Sequence, residues 1–311
     1  LVVRSSWTDE PGTYVEAPAR HPKSLDGLEL VHPVDAIEFD TDQAKVALLR
    51  IPDRPGVAAR LFGEMAAQRL NVDLIIQSIH EGNTNDIAFT VVRANLPQAE
   101  AVAAAISPVL RGNIADSSQA EIFVDQRVAK VSIVGAGMIG RPGVAARMFS
   151  TLAAAGVNIQ MISTSEVKVS CTVQIDQCDR AINALCQAFQ VTCSPLKSEP
   201  PSPVATSMPD VRGAVLDLKQ VQVAMRQVPD LPGMAAQIFE RLATAGVSVD
   251  MIIQSQRCRL VGGQPTRDIA FTVAQAEAAQ AQSVVARAAA GLGCGAVAVN
   301  QANAKVGVGG L

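Results

Sequence analysis

The sequence predicts an α+β fold of tandem β-α-β-β-α-β units, packed in pairs with strands exchanged between neighbours. Three observations predict it. Residues 43–78, "QAKVALLRIPDRPGVAARLFGEMAAQRLNVDLIIQS", align without a gap onto residues 220–255, "QVQVAMRQVPDLPGMAAQIFERLATAGVSVDMIIQS". "DIAFTV" follows both copies, at 86–91 and 268–273. Between them, "RPGVAARMF" at 141–149 repeats "RPGVAARLF" at 54–62, and "NIQMIS" at 158–163 matches "NVDLII" at 71–76, so a third copy is present.

In the first copy Val46 and Leu48 alternate as in a half-buried strand, a Pro-Gly loop follows, and Val57, Leu61 and Met65 recur at helical spacing. Strands "VDLIIQS" and "DIAFTVV", a second helix over 98–110 and a closing strand "AEIFVD" at 120–125 complete the unit. This order is the split βαβ, ferredoxin-like arrangement. The second copy has both helices but a weak closing strand. An unassigned strand-like "DAIEFD" precedes the first copy and "RGAVLDL" precedes the third, so each is expected to close a neighbour's sheet, one unit being inserted into another. The expected boundaries are a leading segment 1–34 and a first unit 35–125, of which 35–40 closes the second unit's sheet. The second unit covers 126–193, a Pro/Ser-rich linker 194–212, and the third unit 213–303. Residues 304–311, "AKVGVGGL", match "AKVSIVGAG" and read as the first strand of a truncated fourth unit.

Composition narrows the function classes. With 49% apolar residues in 311, the chain can bury a substantial core. Aromatic residues are only 3% and the formal charge is -3 with Lys and Arg dispersed, so neither nucleic acid nor an anionic membrane is expected as a partner. Apolar runs are too short for a spanning helix and the N-terminus lacks a signal-peptide layout, which points to a cytoplasmic protein, or a stromal one if plastid-borne. The 6 cysteines form no C-x-x-C pair and lie far in sequence from His21, His32 and His80, so no metal site is expected. They read as reduced thiols packed as small hydrophobes.

"VSIVGAGMIG" at 131–140 spells the Gly135-x-Gly137-x-x-Gly140 dinucleotide turn. The repeat argues against that reading, because the other copies use "IPDRPG" and "VPDLPG" in the same loop. Glu166, the nearest acid after the next strand, is followed at once by another strand. No phosphate-cradling loop, nucleophilic triad or metal motif appears elsewhere.

The Pro-Gly loops are the best candidates for ligand chemistry. Asp53 is a candidate N-cap with Pro55 in the first helical turn, and Asp230 repeats it. A cap alone does not require Gly56, Gly143 and Gly233, since glycine is a poor helix former. Free amides at a helix start suit a small ligand's carboxylate, and Asp53 or Asp230 suits its ammonium. The facing strand carries Asn71, Asp73 and Gln77, with Ser248, Asp250 and Gln254 in the third copy. Either a solvated strand face or a pocket wall fits that pattern.

Tandem "PDRPGVAARLF" and "NVDLIIQS" units resemble ACT domains, and more narrowly the C-terminal regulatory region of aspartate kinase. "VVRSSWTDEPGTYV" is similar to the end of that enzyme's catalytic domain, and four units resemble the cyanobacterial-type arrangement. The resemblance implies a parent enzyme that phosphorylates aspartate with ATP and Mg, first step towards lysine, threonine and methionine. It implies feedback inhibition by lysine and threonine bound between units, and a homodimer joined through them. By the family pattern the effector contacts fall on Asp53, Pro55, Gly56, Val57 and Ala58, and on Asn71, Asp73 and Gln77. In the second copy they fall on Met138, Ile139, Val144, Asn158 and Ile159. In the third they include Asp230, Gly233, Met234, Ala235, Ser248, Asp250 and Gln254. The kinase's nucleotide and aspartate motifs are absent from this chain, so no catalytic residue and no cofactor is assigned to it. A free-standing amino-acid-binding module with no enzyme attached is the alternative, against which "RSSWTDEPGT" argues.

Overall fold

The computed structural model describes Val2, Val3, Thr13 and Tyr14 and, in its main body, residues 32–310 apart from 80–83, 112–120, 139–140, 166, 197–210 and 257. Strands β1 (Val2–Val3) and β2 (Thr13–Tyr14) pair antiparallel in a small unit of their own. The rest of the "RSSWTDEPGT" stretch lies outside the described residues, as do His21, His80 and Glu166.

The main body starts with β3 (Ala36–Pro52), α1 (Val57–Ala67), β4 (Ile75–Ile79), β5 (Thr84–Val92), α2 (Leu96–Arg111) and β6 (Ile122–Val134). The second unit continues from β6 into α3 (Val144–Ala154), β7 (Met161–Thr164), β8 (Lys168–Gln174), α4 (Cys178–Phe189) and the short β9 (Cys193–Pro195). The third comprises β10 (Val211–Pro229), α5 (Met234–Thr244), β11 (Val249–Gln254), β12 (Arg259–Val261), β13 (Gln264–Ala274), α6 (Ala278–Leu292) and β14 (Val297–Gly310). One sheet runs β4-β5-β3-β6-β8-β7 with β9 parallel on β3, and the other runs β11-β13-β10-β14 with β12 on β13.

Strand exchange takes the form of two long strands rather than extra short ones. β3 pairs its Ala36–Asp40 half with Lys130–Val134 of β6, and its Lys45–Leu48 half with Ile122–Asp125. "DAIEFD" and "VALLRIP" are therefore one strand, and β6 serves both units. The register shifts between the halves, where the Asp40 carboxylate accepts from the Asp42 amide and the Gln43 side chain, both at 2.8 Å. Asp217 repeats this at the same place in β10, accepting from the Lys219 amide and from Gln220. A carboxylate absorbing backbone amides at an irregularity keeps polar groups satisfied where the ladder cannot.

The aspartate of "DIAFTV" has a similar structural task. Asp86 accepts from the Arg50 amide and Asp268 from the Gln227 amide, both at 2.9 Å. Arg50 and Gln227 sit at φ 60° and 52°, beside a register shift that follows Leu48 in β3 and Met225 in β10.

The helix starts correct two expectations. Asp53 does not cap α1: the N-cap of α1 is Gly56, and those of α3 and α5 are Gly143 and Gly233, at φ 89°, 94° and 92° with no side-chain cap bond. The glycines are needed because a left-handed residue turns the chain into each helix, a conformation that a Cβ disfavours. Pro55 lies in this turn, outside the helix. Asp53 instead accepts from the Asn85 side chain at 2.8 Å.

Gly135 and Gly137 have a packing reason. A Cβ at Gly135 would lie 2.4 Å from the Pro33 carbonyl oxygen, and one at Gly137 2.7 Å from that of His32. The chain entering the main body crosses directly over this loop, and only glycine allows it.

Candidate interface sites

The second and third units share one hydrophobic core. α3 and α5 face each other, with the Phe149 and Phe239 rings 5.5 Å apart between centroids. A Cβ at Gly143 would touch Ala243 at 3.5 Å and one at Gly233 would touch Ala153 at 3.5 Å. Ala153 and Ala243 are repeat equivalents, so the contacts are reciprocal, as around a local twofold. On the sheet side Thr164 Oγ1 in β7 donates to the Asp250 carbonyl and accepts from the Ile252 amide of β11, each at 3.0 Å.

A twofold pairing makes each interface site twice, and two cavities lie there. The smaller, about 30 Å³, is lined from the second unit by Asn158 and Ile159 and from the third by Asp230, Gly233, Met234, Ala235 and Gln254. Arg267 closes its polar side: Nε donates to Asp230 at 2.7 Å and Nη1 to the carbonyls of Ser255 and Gln256. Gln254 is 7% exposed and its Oε1 is buried with no hydrogen-bond partner.

The larger cavity, about 280 Å³, inverts the contributions. The second unit supplies Met138 and Arg141, Val144 at the start of α3, and Thr164 and Ser165, and the third supplies Ser248 and Asp250. Asp217 and Lys305 complete it, and Lys305 Nζ donates to Asp250 at 2.7 Å. The Gln220 side chain and then the Lys219 amide hold the Asp217 carboxyl below its usual range.

The first-unit candidates are arranged differently. Asp53 and Gln77, with Asn85, face Gln222, Arg226 and Asp268 of the third unit across a cavity of about 430 Å³ that Ile253, Ala270 and Val299 also line. Asp73, which is not near that group, is paired with the buried Lys130, the repeat equivalent of Lys305. Pro55, Gly56 and Asn71 are exposed, and Val57 and Ala58 are half-buried at the start of α1. Ile139 and Gly140 lie outside the described residues. Sequence reasoning missed Arg141, Thr164, Asp217, Arg267 and Lys305. The match between "VAKV" and "NAKV" carried a signal for Lys130 and Lys305, since Lys130 pairs with Asp73 and Lys305 with its repeat equivalent Asp250. Arg267 had none, because the first copy has Asn85 there.

Lys45 stands at the junction of the three units. It is 4% exposed, donates to Gln160 Oε1 at 3.2 Å and lies 5.2 Å from the centre of the Phe123 ring. Burial, with Arg267 nearby, lowers its pKa to about 8. Among the described residues no group of acids, histidines and cysteines could hold a metal ion, and no helix is long and apolar enough to cross a membrane.

ACT-domain families match residues 45–110, and 131–189 together with 221–288. Aspartate kinase from Stutzerimonas stutzeri is 38% identical over 193 residues, covering 61% of this chain and 43% of that protein. Aspartokinase from Helicobacter pylori is 38% identical over 192 residues, covering 61% and 44%. The crystal structure of aspartate kinase from Synechocystis is 57% identical with a TM-score of 0.85, covering 99% of this chain and 52% of that one. The chain thus spans about half the length of these relatives, or less. Its three repeats, its exchanged strands and its shared ACT–ACT interface are those of one family: the chain belongs to the ACT-domain aspartate kinases, of which it carries the regulatory part.

Proposed function

We propose that this chain senses lysine and threonine at the interface between its second and third units and so sets the activity of an aspartate kinase. The parent enzyme would transfer a phosphoryl group from ATP, with Mg, to the β-carboxyl of aspartate in the cytoplasm, and the chain itself would not turn over. The observation that carries this reading is the pair of cavities formed reciprocally across α3 and α5, lined by residues of both units.

Both cavities line up groups that suit a zwitterion, and the smaller, at about 30 Å³, must widen to admit one. In the smaller, the first-turn amides of Ala235 and Ala236 have no carbonyl four residues back within the helix and face a carboxylate favourably. The partnerless Gln254 Oε1 is an acceptor for the ammonium, which matters because Arg267 already neutralises Asp230. In the larger, the ionised Asp217 stands with Arg141 and the Lys305–Asp250 pair, so both signs of charge line one space. A ligand bridging the units favours whichever arrangement of the pair binds it better, and this differential affinity is the regulatory signal.

The face of α1 supports a homodimer joined through ACT units. α3 buries Ala146 and Phe149 and α5 buries Ala236 and Phe239, whereas their equivalents on α1 are the exposed Ala59 and the half-buried Phe62. Calorimetric titration with lysine and threonine, separately and together, tests the proposal. Saturable binding of at least one is expected, weakened by Gln254→Leu or Asp217→Asn. Absence of binding by both amino acids overturns it, as does aspartyl phosphate formed by the pure chain.

A further inference from the structure

Away from the interface cavities, two thiols meet at the end of α4. The helix stops at Phe189, and Gln190 at φ 57° turns the chain so that its amide and that of Val191 both bond back to the Cys186 carbonyl. The returning chain lies along β3, the Thr192 carbonyl accepting from the Ile37 amide at 3.1 Å and the Leu196 amide donating to the Phe39 carbonyl at 2.7 Å. This return brings the Cys193 thiol beside that of Cys186. Both are free thiols, Cys193 exposed and Cys186 half-buried. Cys171 and Cys178, by contrast, are buried, with pKa values pushed up to about 12 and about 11 chiefly by burial. All four are reduced, and Cys186, like Cys171 and Cys178, packs with the core as a small hydrophobe, whereas Cys193 is exposed.

We propose that Cys186 and Cys193 form a reversible disulfide that fastens β9 to the C-terminal end of α4. Thiols that already interact across the turn are placed for a bond, which requires Cα atoms within about 7 Å and a χ3 of about ±90°. The oxidant is another disulfide, either oxidised glutathione or the active-site disulfide of a dithiol oxidoreductase. The exposed Cys193 loses its proton and attacks one sulfur of that disulfide, releasing one thiolate, which takes up the proton. Cys186 then loses its proton and attacks the Cys193 sulfur of the mixed disulfide, releasing the second thiolate, which is protonated in turn. One protein S–S bond forms and the oxidant's S–S bond breaks; the protein loses two electrons and two protons, and two thiols leave. Burial, followed by the neighbouring Cys193, raises the Cys186 pKa, which agrees with Cys193 attacking first.

The link acts where the two units exchange strands. β9 is three residues long and exposed throughout, held on the Ile37–Phe39 segment by few hydrogen bonds. Closing the short ring from 186 to 193 removes freedom from that edge and steadies the half of β3 that enters the second unit.

The test uses the whole chain in glutathione buffers, with alkylation and non-reducing peptide mapping. The tryptic peptide 181–197 contains both cysteines and no other. Under oxidising buffer this peptide is expected to lose two hydrogens and take up no alkyl label, and under reducing buffer to take up two labels. Exchange of the Ile37 amide, which bonds to Thr192, is expected to slow by about tenfold or more on oxidation. Cys186→Ser is expected to retain glutathione on Cys193, where the unaltered chain resolves it. Stable glutathione on Cys193 of the unaltered chain, or oxidation that joins Cys193 to another chain instead, overturns the proposal.

Discussion

Arg267 Nε donates to Asp230 Oδ2 at 2.7 Å, with the two side chains only 15% and 14% exposed, where the first unit places Asn85 on Asp53 at 2.8 Å. The same two repeat positions therefore hold a largely buried ion pair in one unit and a neutral-to-charged hydrogen bond in another. Removing one charge should have unequal consequences. Asp230→Asn leaves a buried guanidinium with carbonyl partners alone and is expected to cost about 2–4 kcal/mol. Asp53→Asn can keep a hydrogen bond to Asn85 at an exposed site and is expected to cost under about 1 kcal/mol. Urea melts of the two variants check this, and equal losses would show that the ion pair adds nothing.

Much of the fold was legible because its evidence is periodic or repeated. Val57, Leu61 and Met65 mark a helix face by spacing, and three copies of one pattern established the unit without reference to pairing. What was not legible depended on distant approach. Asp53 has the chemistry of an N-cap, but the turn through Gly56 carries the helix start past it, and its partner Asn85 is 32 positions away. Gly135 and Gly137 spell a nucleotide turn because they must clear residues 32–34, a contact with no local signature. Among the candidate site residues, Asn158, Asp230 and Gln254 meet in one cavity, whereas Asp73 is drawn away by Lys130, which only the repeat match to Lys305 marked.

The three left-handed glycines give a controlled comparison. A Cβ at Gly56 meets nothing within 4 Å, and at Gly143 and Gly233 it meets only an alanine at ordinary contact distance. The cost of alanine at each should therefore be backbone strain, about 1–2 kcal/mol. Similar losses at all three are expected in thermal or urea melts. A much larger loss at Gly143 and Gly233 would mean that the α3–α5 contact leaves less room than 3.5 Å implies.

The glycines of the 131–140 stretch should behave as packing residues. Gly137→Ala places a methyl 2.7 Å from the His32 carbonyl oxygen and 2.9 Å from the Pro33 Cα, both backbone atoms. Destabilisation by about 1–3 kcal/mol is expected. NADH fluorescence should be unchanged by the unaltered chain and by the variant alike. Saturable enhancement lost in Gly137→Ala would restore the dinucleotide reading.

Lys45 predicts an unusual pH dependence. Its folded pKa is lowered to about 8 from 10.5, mainly by burial, so the fold disfavours its charge. Below about pH 8 the lysine is protonated in both states and the folded chain bears the full penalty. Between about 8 and 10.5 the folded chain has released a proton that the unfolded chain still holds, so this residue's contribution to stability rises with pH. From pH 7 to pH 9 the gain is roughly 1.4 kcal/mol. Cys171 and Cys178 act in the opposite sense, because their pKa values are raised from 9.0 and their stabilisation is lost as the unfolded thiols ionise. Subtracting a Lys45→Met variant cancels them, since both proteins carry the same thiols. The variant is expected to be the more stable at pH 7, with its advantage shrinking by roughly 1.4 kcal/mol by pH 9. Urea melts of both proteins across that range decide the matter. A stability difference that stays flat would mean that Lys45 keeps an ordinary pKa, its charge answered by Gln160 and the Phe123 ring.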